Sequence, residues 1–171
     1  MNERRVLLRD GRCGSIRPLT PADVDLLYRC FQGFSPETRR LFAPHPFSYE
    51  VAEDLCSSAD VDTSALRFIV HEERRPSMPL GYGLLFHWSQ EVPTLGIGLV
   101  DTAAGLGLGR QVMLFLLKRA REAGRPGVRL TVMERNARAR RLYESLGFCY
   151  YNGRSWDSNG NGWSLKMEVT I

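Results

Sequence analysis

No apolar run in this sequence approaches the roughly 20 residues that a membrane-crossing helix needs. The N-terminus, Met1-Asn2-Glu3-Arg4-Arg5, leads into only Val6-Leu7-Leu8 before Arg9 and Asp10. That run is too short for the apolar segment of a signal peptide, so the expectation is a cytoplasmic chain with no membrane partner. Histidine is scarce, at three residues. Cys13, Cys30, Cys56 and Cys149 lie far apart with no C-x-x-C, which excludes zinc-ligand spacing and reads as reduced, structural thiols. His45 and His71 make no set with them, and no metal is expected. Repeats and low-complexity linkers are absent. Aromatic residues do not interleave with basic ones as a base-stacking platform would require, so nucleic acid is not expected as a partner.

What remains is an ordinary globular composition over 171 residues, 43% apolar and 25% charged, with a net charge of +4. This is enough chain for one domain, residues 1–171, with its own core. The positive charge concentrates in the second half, in Arg119, Arg121, Arg125, Arg129, Arg135, Arg138, Arg140 and Arg141. Such a cluster complements a polyanionic ligand or forms a solvated face.

The most informative stretch runs over 95–147. Leu95-Gly96-Ile97-Gly98-Leu99-Val100 reads as an apolar strand whose two glycines imply a bulge, a ligand alongside or a crowded neighbour. Gly105, Gly107 and Gly109 follow at alternate positions. Then 108–123 has helical spacing, with Val112, Phe115, Leu116 and Ala120 on one face. A strand, a glycine turn and a helix N-terminus together present free N–H groups and a positive dipole end to an anion. Gly109 is followed by Arg110-Gln111 rather than Lys and Ser/Thr, which rules out a P-loop. The turn is G-x-G-x-G, and Arg129-Leu130-Thr131-Val132 stands where a ribose-binding acid would be, so a dinucleotide oxidoreductase fails on motif grounds.

The run 128–132 is β-type and leads to Asn136, a good N-cap for a helix over 137–145 that Gly147 terminates. Asn136, Ala139 and Tyr143 are spaced to share one helical face, with a small residue leaving room for a ligand between an amide and a phenol. Leu142 and Leu146 form a neighbouring stripe suited to the core.

Val100, the glycines at 105, 107 and 109, and Val132-x3-Asn136-x2-Ala139-x2-Leu142-Tyr143-Glu144-x-Leu146-Gly147-Phe148 together resemble the GNAT superfamily of acyl-CoA-dependent N-acyltransferases. Its pyrophosphate turn, Arg/Gln-x-x-Gly-x-Gly/Ala, falls on 104–109. Gly107 and Gly109 match; the first position is Ala104. The resemblance implies an α/β fold: a mixed, twisted, mostly antiparallel sheet of about seven strands with helices on both faces. It further implies that the parallel strands 95–100 and 128–132 splay apart around the pantetheine arm. The implied activity is transfer of an acetyl group from acetyl-CoA to a primary amine by direct attack, in a ternary complex. Leu99, Val100, Gly105, Gly107, Leu108, Gly109, Arg110, Asn136, Ala139 and Tyr143 would bind the co-substrate, with the N–H of Leu99 or Val100 as oxyanion donor. Tyr143 would be the catalytic acid: a phenol near pKa 10 can hand a proton to a thiolate whose thiol lies near roughly 8.5.

The general base stays open among Glu91, His87, Glu134 and water, because Leu95 or Gly96 stands where many members carry Glu. A non-catalytic acyl-CoA sensor is the alternative function. The acceptor amine is open, and a homodimer is left open as an assembly. Glu37, Glu50, Asp54 and Asp157 are carboxylates that could line a site for a cationic acceptor.

The flanking elements are read as a hairpin around Asp10-Gly11 and helix starts at Thr20, Ser35 and Ser48. Strands are expected over 66–70 and 80–88, and a closing pair over 148–151 and 163–169 separated by a loop.

Overall fold

Asp10 and Gly11 reverse the chain at its start. The computed structural model, which describes residues 3–157, 160 and 162–171, pairs β1 (Arg4–Leu7) antiparallel with β2 (Cys13–Pro18). Gly11 takes φ 85° there, a conformation that costs glycine nothing sterically. Thr20 and Asp23 then form a capping box around Pro21. The Asp23 carboxylate accepts from the Thr20 N–H at 2.8 Å and from Arg17 at 2.6 and 2.7 Å. That box opens a 3₁₀ turn over Pro21–Asp23, which runs into α1 (Val24–Gln32). Ser35 and Ser48 accept from the N–H groups of Thr38 and Val51, starting α2 (Pro36–Leu41) and α3 (Tyr49–Ser57).

An antiparallel meander follows, β3 (Ala65–Glu72), β4 (Pro79–Phe86) and β5 (Thr94–Leu99). Next, α4 (Leu108–Glu122) crosses over to β6 (Gly127–Met133), and α5 (Ala137–Glu144) leads to β7 (Cys149–Trp156) and β8 (Trp163–Thr170). The strands form one sheet in the order β1-β2-β3-β4-β5-β6-β8-β7, eight strands against the seven or so expected. Among the described residues only β5 and β6 are parallel neighbours. The extra β length lies in β7, which continues to Trp156 where a loop was expected. The register slips between Tyr150 and Arg154, and Gly153 takes φ 46°, so polar residues that look like a loop form a bulge inside the strand. The rest of that expected loop includes residues 158, 159 and 161, which lie outside the described residues.

The two sheet faces are covered differently. Val112, Phe115, Leu116 and Ala120 of α4 are buried on one face, together with Leu108 and Met113. Gly83 of β4 lets the helix come close, since a Cβ there would stand 3.2 Å from Val112 and 3.3 Å from Leu116. On the other face α1 buries Leu26, Leu27, Cys30 and Phe31, with Phe31 edge-on to Tyr82 at 6.1 Å. Each buried Val, Leu, Met or Phe among them contributes about 1.5–3 kcal/mol through burial.

Thr94 opposite Arg129 is the one register pair between β5 and β6, backed by a 2.9 Å bond from the Arg129 N–H to the Pro93 carbonyl. Beyond it the two strands diverge, and the opening widens toward their C-terminal ends.

Candidate active site

The divergence leaves a cleft of about 650 Å³. Its walls come from β5, β6, the turn before α4 and the inner face of α5. At the turn, Gly105 and Gly107 take φ 84° and 81°, and Gly107 is the N-cap of α4. No side chain of Gly107 closes the helix end, so the first N–H groups of α4 remain available to an anion. Across the cleft, Asn136 caps α5 by accepting the Ala139 N–H at 3.1 Å on its carboxamide oxygen, which leaves the amide nitrogen as a donor.

Leu99, Gly105, Gly107, Gly109, Arg110, Asn136, Ala139 and Tyr143 all line this one cleft. Residues from three elements, 44 positions apart at the extremes of 99 and 143, therefore meet in one cleft. Val100 and Leu108 have their side chains in the core, 4% and 1% exposed. The Val100 N–H donates to the Leu80 carbonyl at 3.1 Å, so it is engaged toward β4. Because N–H directions alternate along a strand, those of Ile97 and Leu99 point to the edge that β6 has left.

Tyr143 is nine per cent exposed and burial pushes its phenol up to about 12. Its ring packs against Phe148 at 6.0 Å, and its hydroxyl has no hydrogen-bond partner among the described residues. Of the candidate bases, none lines the cleft. Glu91 is exposed; His87 sits beside Thr94 at 3.3 Å, at the opposite end of β5 from the turn; Glu134 faces Arg154 at 3.7 Å. The ionisable side chains on the cleft wall are Arg9, Arg110, Arg138 and Tyr143. Among the described residues no cluster of His, Cys, Asp and Glu is arranged to hold a metal ion.

Three contributors escape sequence reasoning. The β1–β2 hairpin docks on the turn, with the Arg9 N–H donating to the Leu106 carbonyl at 3.0 Å. Gln111 clamps it, accepting from the Leu7 N–H at 3.1 Å and donating to the Leu7 carbonyl at 2.7 Å. This places the Arg9 guanidinium over Gly107, 3.5 Å from where a Cβ would stand. Arg138 approaches Gly105 from the other side, 3.6 Å from the corresponding point. Neither arginine has an ion-pair partner among the described residues, so two free cations converge on the turn. The third contributor is α2, which brings Thr38, Leu41 and Phe42 to the far wall. Arg138 belongs to the basic cluster noted in the sequence, but nothing local signals the approach of Arg9 or α2; Leu7 and Gln111 are 104 residues apart.

The glycines of β5 are explained by crowding. A Cβ on Gly98 would come within 2.5 Å of Phe42 Cδ1 and 2.9 Å of Phe34 Cζ, and one on Gly96 within 2.8 Å of Leu84.

Comparison with known proteins agrees with this fold. The family described as acetyltransferase (GNAT) domain matches residues 15–149. A mycothiol acetyltransferase of Thermomonospora curvata is 46% identical over 71 residues, 39% of this chain and 24% of that relative. The chain thus spans about a quarter of that relative's length. The GNAT domain of S. lividans PAT superposes with a TM-score of 0.78 at 16% identity, covering 99% of this chain and 97% of the other. Spermidine N-acetyltransferase of Vibrio cholerae, in complex with CoA and spermine, gives 0.76 at 17% identity over 92% of this chain and 95% of its own. At these identities the two structures establish the fold.

Proposed function

The chain belongs to the GNAT acetyltransferase family, and we propose that it moves an acetyl group from acetyl-CoA to a primary amine by direct attack within a ternary complex. The observation that carries this reading is the splayed β5–β6 cleft, with an open helix N-terminus at one end and the Tyr143 phenol on its wall. The residues fit the co-substrate. Gly105 and Gly107 leave backbone N–H groups uncovered beside two unpaired guanidiniums, those of Arg9 and Arg138. Gly109 lines the cleft without a side chain, which keeps the wall low. The N–H groups at the start of α4 with Arg9, Arg110 and Arg138 would hold the phosphates. Asn136 and the free edge of β5 would hold the pantetheine arm.

Acetyl-CoA supplies an activated acyl carbonyl and a thiolate leaving group. The Leu99 N–H stabilises charge that develops on the carbonyl oxygen. Tyr143 donates a hydrogen bond to the departing sulfur; its raised pKa keeps the phenol protonated throughout the physiological range. As the N–C bond forms and the C–S bond breaks, the amine gives up one proton and the thiolate takes one from the Tyr143 phenol, which water reprotonates, so the step consumes no net proton. With arginines and a tyrosine as the ionisable groups on the wall, the amine proton passes to water.

The decisive experiment mixes the protein with acetyl-CoA and a panel of primary amines and measures free thiol. Amine-dependent release supports the transferase. Tight binding of acetyl-CoA with no release for any amine replaces it with the sensor reading.

A further inference from the structure

On the reading of this cleft as an acetyl-CoA site, we infer that Leu7 of the β1–β2 hairpin and Leu114 of α4 form a shelf for the adenine ring of the co-substrate.

The cavity does not stop at the glycine turn. It continues along α4, where Gln111 and Leu114 line it together with Leu7 of β1. Leu114 follows Leu108, the first residue of α4, by six positions (108 to 114), roughly 9 Å along the axis at 1.5 Å per residue. Leu7 belongs to the hairpin that docks on one side of the turn, whereas Asn136 and Tyr143 stand on α5 at the other. A co-substrate with its phosphates at the turn and its pantetheine arm along β5 and α5 has its nucleoside on the remaining side of the phosphates. That side is the hairpin's.

The surface there suits a ring rather than a charge. Leu7 is 62% exposed and Leu114 39%, while Val6, Leu8 and Met113 beside them in the chain are buried. One exposed leucine is ordinary; two from distant elements on one cavity wall make an apolar patch that opens into that cavity. The polar atoms around Leu7 are already engaged. β1 is an edge strand, and the N–H and C=O of Leu7 are both taken by the Gln111 amide, at 3.1 and 2.7 Å. Backbone and amide satisfy each other, and carbon is what remains for a ligand. Arg9 and Arg110 also line the cleft, and among the described residues no carboxylate does, with Glu37, Glu50, Asp54 and Asp157 all off its wall. A flat heteroaromatic ring joined through a sugar to phosphates matches this combination, its face on leucine carbon and its phosphates toward the arginines.

The test is calorimetric titration of CoA and of 4′-phosphopantetheine, which keeps the arm and one phosphate and lacks the nucleoside. The proteins are the parent, Leu7→Ser, Leu114→Ser and Leu7→Met. Each serine substitution is expected to weaken CoA binding ~10-fold, the order expected when a ring no longer covers one leucine, and to leave phosphopantetheine unchanged. Leu7→Met should keep the parent affinity for both. None of these changes alters charge, so a loss confined to CoA reports the ring and not the phosphates. Leu114 is outside the hairpin, so its variant separates the shelf from a mere loosening of β1. Unchanged CoA affinity in both serine proteins overturns the inference, and so does an equal loss for phosphopantetheine. The readout is binding alone, so a failed amine screen and a failed shelf are told apart. A parent protein that binds neither compound overturns the reading of the cleft, and the inference with it.

Discussion

The ring of Phe42 occupies the space that a side chain at residue 98 would fill, 2.5 Å from the site of a Cβ on Gly98. That contact joins the end of α2 to β5 and so fixes the distance between the α2 wall of the cleft and the strand that flanks it. Gly98→Ala pushes the ring outward into the cluster of Phe34 and Phe47, whose centroids lie 6.1 and 6.2 Å from it. The expected loss is about 1–3 kcal/mol of stability, the usual cost of overpacking. Chemical denaturation measures it, and an unchanged midpoint would show that α2 moves away freely.

The turn also carries a testable substitution. Ala104 removes the side chain that the family pattern places ahead of the glycines, and the hairpin returns a cation through Arg9. Arg9→Ala should weaken acetyl-CoA binding by about 1.5–3 kcal/mol, the range for a charge-assisted hydrogen bond. Ala104→Arg in that background should restore part of it. Calorimetry reads both. Equal affinity in the Arg9→Ala protein would pass the role to Arg110 and Arg138. In contrast, Gly109→Val is expected to abolish binding outright while the protein stays folded, because Gly109 lines the cleft and an isopropyl group there would take up space open to the co-substrate.

Much of this arrangement could be read from the sequence because its determinants are local. Asn136 caps α5 through a bond to a residue three positions on, Gly107 permits φ 81° by its own chemistry, and Asn136, Ala139 and Tyr143 align by helical period. Arg9, Thr38 and Phe42 reach the cleft through tertiary docking, which no periodicity encodes. The glycines of β5 had three readings in sequence, bulge, ligand or crowd; the unbroken register with β4 removes the bulge, and the positions of Phe42 and Leu84 show the crowd. The end of β7 was hidden for a different reason: Asn152 and Gly153 have turn chemistry, and they use it inside a strand as a bulge.

Acid stability has a named contributor. Asp62, ahead of β3, accepts from the Ser64 hydroxyl at 2.6 Å and from Arg67 at 2.6 Å. The Ser64 hydroxyl first, and Arg67 with it, lower the carboxyl pKa to about 2 from its ordinary 3.8. A folded-state pKa below the unfolded one adds stability that is complete above about pH 4 and is lost as pH falls toward 2. Asp62→Asn should therefore lower Tm at pH 7 and reduce the slope of Tm against pH between about 4 and 2. A slope equal to the parent's would assign the acid limb to other carboxylates, Asp23 first among them.

Tyr143 tests the chemistry most directly. Its ring is packed against Phe148 and its hydroxyl lies on the cleft wall without a partner, so Tyr143→Phe removes one donor and little packing. Affinity for acetyl-CoA should be nearly unchanged. The turnover rate should fall by roughly 10²–10⁴, the usual contribution of one acid, with kcat and kcat/KM falling together because the bond is made in the transition state. The parent enzyme should show no loss of kcat on raising pH from 7 to 10, since burial holds the phenol proton to about pH 12. A descending limb centred between pH 8 and 10 would mean that another group supplies the proton. Turnover at the parent rate in the Phe protein would give that role to water, and a large loss of acetyl-CoA affinity would make the hydroxyl an anchor for the co-substrate rather than an acid.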